Sequence, residues 1–404
     1  MRVLTEKLIF KDYDFKLEIM RFILKFIRNT VITLAVIYGL LFALTTYAHY
    51  PEPISAIRLG LAPASKTPLL MPSHEFAPAS KPISLPTGIE VIPKVDYQGN
   101  KIAFDDFLSL TKTNAFLVIR NGMLTYQYYN DGFSESSKLP SYSVAKTMTS
   151  LMIGKLIADG KISESDHFVD FFPELKNNTD FDKVTIRDLL DMQGGVLVSD
   201  NYPTGPSGWG VAIAQMYATT DTMWFIKNNR KMAEAPGTKA EYRSVDTQML
   251  GMIIRKVTGE KVSDYFSKTV WQKVGAKYPG TWNVDRVGGQ EKTFCCFNAT
   301  AIDYAKVGLM LLNNGYVGSE RVVSADWMKR LRTPVVKLDR DWGYGAQIWH
   351  PYPDIMMMMG LHGQYVYVDP ATRTVIVKSS DVPTGKEDEA AVASVLNQIS
   401  KLRS

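Results

Sequence analysis

Residues 140–159 read PSYSVAKTMTSLMIGKLIAD. Pro140 interrupts what precedes it, and Ser143 opens an apolar, helix-forming run to Asp159 that stops before Gly160. Ser143 and Lys146 stand at i and i+3, on one face of that helix. A serine hydroxyl is a weak nucleophile until a base takes its proton. At a helix N-terminus it also meets the positive end of the dipole, where developing negative charge is favoured. A lysine buried in the same turn loses its charge more readily and can be that base. The spacing alone is weak, since a chain of this size holds about one or two Ser-x-x-Lys matches by chance. Ser109-Leu110-Thr111-Lys112 is such a match, but it opens no apolar helix. The bland alternative for Ser143 is a helix cap beside a solvated lysine.

Upstream, Ala115 to Tyr129 reads AFLVIRNGMLTYQYY. Two β-rich runs flank Asn121-Gly122, the signature of a type I′ hairpin. Downstream, helices are expected at Thr185–Met192, Asp246–Val257, Thr300–Leu312 and Glu389–Leu402. Strands are expected at Tyr365–Val368 and Thr374–Lys378, joined at Asp369-Pro370. Strands at both ends with helices between predict one sheet built from both termini around a helical insertion.

Two further stretches carry chemistry. Pro236-Gly237 makes a turn, and Tyr242 follows it on a short loop before a helix. A phenol beside a lysine ammonium ionises more easily and can relay a proton. A lone tyrosine is more often structural. In Gly360-Leu361-His362-Gly363-Gln364, small residues before a strand leave backbone N–H groups open to a ligand, one way to build an oxyanion hole. His362 is a candidate to hold substrate or the tyrosine.

The order of these three stretches resembles the serine β-lactamase and penicillin-recognising hydrolase superfamily. The similarity is greatest to the class C β-lactamase-related branch, which includes esterases and 6-aminohexanoate-dimer hydrolases. It spans about Ala115 to Lys378. Ser143-Val144-Ala145-Lys146 fits the family's Ser-x-x-Lys, and Tyr242-Arg243-Ser244 its Tyr-x-Asn or Tyr-x-Ser. His362-Gly363-Gln364 falls where Lys-Thr-Gly or His-x-Gly is usual. Val184 to Leu190 before Gly194-Gly195, Asn298-Ala299-Thr300, and Trp342-Gly343-Tyr344-Gly345 fit as well. The resemblance implies an α/β body: a mainly antiparallel sheet flanked by helices, with an all-helical lobe. It implies acyl transfer through Ser143, with Lys146 and Tyr242 as general base and acid. Gln364, His362 and Gly363 are then expected at the oxyanion and substrate site, and Tyr202 and Trp209 in a covering loop. No metal or cofactor is required. The third motif lacks the lysine and the Thr/Ser that recognise a penicillin carboxylate, so an ester or amide is expected as substrate. A β-lactam or peptidoglycan peptide, or a non-catalytic binding role on the same fold, are the alternatives.

Charge and hydropathy place this body. The chain has 404 residues and a net charge of +5. Its first 30 residues hold seven basic and four acidic groups, so the other 374 carry only +2. That distribution excludes a phosphate-neutralising surface and nucleic acid as a partner. Thr30 to Ala48 is uncharged and apolar over 19 residues, about the length that spans a bilayer core. The basic flank puts the N-terminus in the cytoplasm and the body in the periplasm or outside. An uncleaved anchor and a signal peptide cut after Thr46-Tyr47-Ala48 both fit the run, the long basic preamble favouring the anchor. Between Pro51 and Pro93 stand nine of the chain's 20 prolines. The expected organisation is a basic segment (1–29), a transmembrane anchor (30–48), a proline-rich spacer (49–94) and the hydrolase body (95–404). The two cysteines, Cys295 and Cys296, are adjacent, which excludes a disulfide framework; they are expected as small packing residues.

Overall fold

The computed structural model describes residues 2–200, 212–383 and 385–402, with side chains from Phe15 onward. It divides into two units, residues up to Gly60 and residues from Leu61. The first unit is dominated by helix α1 (Arg2–Tyr47). Its stretch Phe15–Tyr47 is long and apolar enough to cross a membrane. Leu34, Leu40 and Leu44 are more than half exposed along it.

The second unit is built on an eight-stranded antiparallel sheet. In chain order its strands are β1 (Thr113–Arg120), β2 (Met123–Tyr129), β3 (Val336–Lys337), β4 (Gly343–Gly345), β5 (Ile348–His350), β6 (Met356–Gly360), β7 (Gln364–Asp369) and β8 (Thr374–Ser380). Their spatial order is β3-β4-β5-β6-β7-β8-β1-β2, so the two ends of the body meet where β8 pairs with β1. Asn121 and Gly122 both have positive φ (50° and 82°), as a type I′ turn between β1 and β2 requires. Every residue of β1 is buried, because both faces are covered. Phe116 and Val118 face one cluster, with helix residues Val392 and Leu396; Leu117 and Ile119 face the other.

Four helices position the site: α2 (Val144–Ala158), α3 (Ser244–Thr258), α4 (Ala301–Leu312) and α5 (Glu389–Ser400). α4 lies on β7, β8 and β1, and α5 packs against β8. Gly308 of α4 allows that approach: a Cβ there meets Val375 Cγ1 at 2.7 Å. α2 is buried almost all round from Val144 to Gly154, which makes it the central helix between the sheet and the helical lobe. A second, small sheet joins Ser73–Phe76, Gly280–Asn283, Phe297–Ala299 and Leu139–Pro140 in that order. Its last strand ends at Pro140, so it fixes the chain directly before Ser143.

The proline-rich stretch is not a free spacer beyond residue 60, which corrects the expected 49–94 boundary. Ser73–Phe76 is a sheet strand, and the buried Phe76 ring stacks on Phe297 at 5.5 Å. Ser65 donates N–H and O–H to the Asp381 carboxylate at 2.7 and 2.6 Å. Gly88 and Leu124 exchange backbone bonds with each other's neighbourhood, Gly88 N to Leu124 O (2.9 Å) and Leu124 N to Pro86 O (2.8 Å). Prolines exclude a long helix here, but not side-chain burial along an extended path.

Candidate active site

Ser143 is the N-cap of α2, in helical geometry (φ −67°, ψ −3°). Tyr142, just before it, is left-handed (φ 42°), a conformation a bulky residue holds only when its surroundings impose it. The Tyr142 hydroxyl lies 3.2 Å from Thr67 Oγ1, and its ring meets His362 edge-on at 4.7 Å. Ser141 adds an anchor: its N–H donates to Phe297 O at 2.8 Å. The sharp turn before the helix is thus held from three sides.

Lys146 is one turn into α2 and 1% exposed. Its Nζ lies 2.9 Å from Ser143 Oγ, 2.9 Å from Ser244 Oγ and 3.0 Å from Phe294 O. Among the described residues no carboxylate is hydrogen-bonded to it. Burial lowers its pKa to about 8, against the pull of Asp200 and Asp246, which favour the charged form. Above Nζ sits the Tyr242 ring, 4.9 Å to its centre. Ser143 is near enough to the Tyr242 hydroxyl to favour its ionised form, though by less than burial disfavours it. Burial pushes that phenol well above its ordinary value, so it is neutral and a donor, not a phenolate. Trp349 stacks on the ring at 5.4 Å and Tyr344 meets it edge-on at 6.0 Å. Arg243, the N-cap of α3, is buried and holds the Tyr242 loop down through Glu234 and Glu241, each at 2.9 Å, and the Val196 carbonyl.

A model of the family described as Beta-lactamase matches residues 112–398 of this chain. The chain belongs to the beta-lactamase family. The 6-aminohexanoate-dimer hydrolase of Paenarthrobacter ureafaciens is 27% identical over 322 residues, covering 74% of this chain and 80% of that protein. A solved Bacillus anthracis structure, provisionally named a 6-aminohexanoate-dimer hydrolase, superposes with a TM-score of 0.74 at 23% identity, over 87% of this chain and 94% of that one. A family VIII carboxylesterase structure gives 0.55 at 17% identity, over 70% and 91%. The fold and the hydrolase character of this beta-lactamase family member follow from these matches.

Within that family frame the third stretch sits differently from its expected role. The close approach to the nucleophile is made by Gly360, at the end of β6. A Cβ on Gly360 meets the Ser141 carbonyl and lies 2.9 Å from Ser143 N. Gln364 is four residues on and faces inward. Its amide donates to Ser380 O at 2.7 Å and His362 O at 3.1 Å and accepts from Ser379 Oγ at 2.6 Å. His362 Nδ1 lies 2.6 Å from Val382 O, and burial lowers the ring's pKa, so it is a neutral neighbour of Tyr142. Gly363 (φ 87°) turns the chain beneath Ser380. Tyr202 and Trp209 lie outside the described residues. Among the described residues no cluster suited to a metal occurs. Cys295 and Cys296, expected as packing residues, are joined to each other in a disulfide, and both are buried.

Two contributors escaped the sequence. Phe294 contributes a backbone carbonyl, 148 residues from Lys146, and no side-chain pattern marks it. Asp200 lies 44 residues from Ser244, whose N–H it accepts at 2.8 Å and whose hydroxyl at 2.5 Å. Nothing in its neighbourhood in the chain distinguishes it from a loop aspartate.

Proposed function

We propose that this protein is a membrane-anchored serine hydrolase that cleaves an ester or amide through a Ser143 acyl-enzyme. The observation that carries this is Ser143 Oγ 2.9 Å from a buried lysine amine, with the Tyr242 ring 4.9 Å from that same amine. Neutral Lys146 takes the Ser143 proton as Oγ bonds to the substrate carbonyl carbon. The N–H of Ser143 and the N–H that follows Gly360 hold the oxyanion. Tyr242, a donor, is placed to protonate the leaving alcohol or amine and regains its proton from Lys146. Water then repeats the sequence on the acyl-enzyme and releases the acid. No step calls for a cofactor.

The relatives named for 6-aminohexanoate-dimer and carboxylester hydrolysis support a linear amide or ester. A β-lactam or a peptidoglycan peptide presents a free carboxylate. The strand beside Ser143, Met356–Gly360, offers it four methionines and a glycine and no cation. α1 is the anchor in this proposal, with the basic N-terminus on the cytoplasmic side and the body beyond the membrane.

A fluorophosphonate probe and a panel of p-nitrophenyl esters and linear amides test the proposal. Wild type is expected to be labelled and to turn over at least one of them, and Ser143→Ala to lose both. Labelling or hydrolysis that survives Ser143→Ala removes the serine from the mechanism.

A further inference from the structure

We propose that Asp200 is a positioning residue acting through Ser244: it fixes the direction of the Ser244 hydroxyl and so turns the lone pair of neutral Lys146 onto Ser143. This rests on Ser143 as the nucleophile.

The hydrogens can be followed one at a time. An ionised carboxylate only accepts. Asp200 takes the Ser244 N–H on Oδ1 at 2.8 Å and the Ser244 O–H on Oδ2 at 2.5 Å. Ser244 has a single hydroxyl hydrogen, and it is on Asp200. Ser244 Oγ therefore faces Lys146 Nζ, 2.9 Å away, purely as an acceptor. Phe294 O, at 3.0 Å, is a carbonyl and also only accepts. A neutral amine has two hydrogens and one lone pair. Both hydrogens go to these acceptors, and the remaining hydrogen-bond partner of Nζ among the described residues is Ser143 Oγ at 2.9 Å. The lone pair lies there, ready for the serine proton. Without Asp200 the Ser244 hydroxyl is free to turn and donate to the same lone pair, in competition with Ser143.

Charge adds a second effect. The titratable groups facing Lys146 are Asp200, Tyr242 from the loop before α3, and Asp246 from α3 itself. Burial pushes Tyr242 well above its ordinary value, so it is neutral, and burial also raises Asp246. Burial raises Asp200 too, while Lys146 and the two Ser244 donors oppose that rise. Asp200, ahead of Asp246, keeps the Lys146 pKa from falling further.

Asp200→Asn is the sharpest variant, being isosteric. The fixed Ser244 N–H takes the amide's one oxygen, which leaves its NH₂ against Ser244 Oγ and sends the Ser244 hydrogen toward Lys146. The experiment measures the second-order rate of Ser143 phosphonylation on the full chain in detergent from pH 6 to 10. In that step the Oγ–P bond forms, the P–F bond breaks, fluoride leaves and the proton passes to Lys146. Asp200→Asn is expected to lower the plateau rate about tenfold or more and to move the acid limb to lower pH. In a Ser244→Ala background the same substitution is expected to change the plateau less than about twofold, because the intermediary is gone. Asp200→Glu is expected to regain part of the loss. An unchanged plateau in Asp200→Asn, or an equal loss with and without Ser244, overturns the proposal. If wild type is not labelled, or Ser143→Ala still is, the serine mechanism itself has failed, and the two failures are told apart.

Discussion

Two of the body's buried basic side chains, Arg120 and Lys146, are held in opposite ways. Arg120 meets Glu90 through two bonds, at 2.8 and 2.6 Å, and gives its other donors to Ile399 O, Ser400 O and Thr374 Oγ1. Burial works to raise the Glu90 pKa, but Arg120 and Thr125 outweigh it, and the carboxyl ends below its ordinary value. Both charges are fixed. Among the described residues, the hydrogen-bond partners of Lys146 are two hydroxyls and a carbonyl, and its carboxylate stands one hydroxyl away. Its pKa falls to about 8. A buried cation with a direct partner keeps its charge and serves the fold. One whose partner is held off by a hydroxyl can give up its proton near neutral pH.

The largest expected effect tests the first half of that contrast. Glu90→Ala leaves Arg120 buried without its counter-ion, which costs about 3–5 kcal/mol. Glu90 lies in the stretch that runs over β1 and β2, so denaturant unfolding is expected to show the loss while folded protein keeps its activity. A loss within about 0.5 kcal/mol, the usual range for surface changes, means that this pair does not hold the segment.

The second effect concerns how backbone, not charge, completes the other site. Gly360→Ala places a methyl against the Ser141 carbonyl and 2.9 Å from Ser143 N. β6 must then move off the nucleophile. Activity is expected to fall about 10²–10³-fold, the size of a lost oxyanion donor, with a stability cost of about 1–3 kcal/mol from overpacking. Full activity in Gly360→Ala places the oxyanion elsewhere.

The difference between the two regions also explains what the sequence showed. Ser143 and Lys146 are three residues apart on one helix, so their contact follows from local geometry. Tyr242 was legible through its order relative to them. The hairpin at Asn121-Gly122 was legible because φ > 0 at both positions selects those residues. Asp200, Phe294 and the Glu90–Arg120 pair depend on contacts 30 to 148 residues apart, and no local spacing encodes them. The proline count weighed against long helices from Pro51 to Pro93, where the structure has a nine-residue helix at Pro53–Leu61. It was silent on burial, and so a segment that carries Phe76 and Glu90 into the body looked like a spacer. Gln364 was favoured because it opens a strand; the residue that approaches Ser143 is Gly360, which ends the preceding one.

The smallest expected effect is the clearest in sign. Lys146 acts as a base only when neutral. With a folded pKa of about 8, about a tenth of it is neutral at pH 7. Hydrolysis, as kcat/KM, is therefore expected to rise up to about tenfold from pH 7 to a plateau above pH 9. Stability moves in parallel. The unfolded chain holds the Lys146 proton up to its ordinary value of 10.5, so between about 8 and 10.5 it binds more protons than the folded chain. The burial cost is fully present below pH 8 and diminishes as pH rises through that window. Glu90 runs the other way: its lowered pKa contributes stability present above its ordinary 4.5 and lost as pH falls. Lys292 separates the two readouts. Burial also lowers it to about 8, yet its Nζ donates to Thr219 O at 2.9 Å, away from Ser143. Lys292→Met is expected to flatten part of the stability rise and leave the rate limb near pH 8 in place. A limb that moves with Lys292, or a kcat/KM that is flat from pH 6 to 9, means that Lys146 is not the group whose proton controls Ser143.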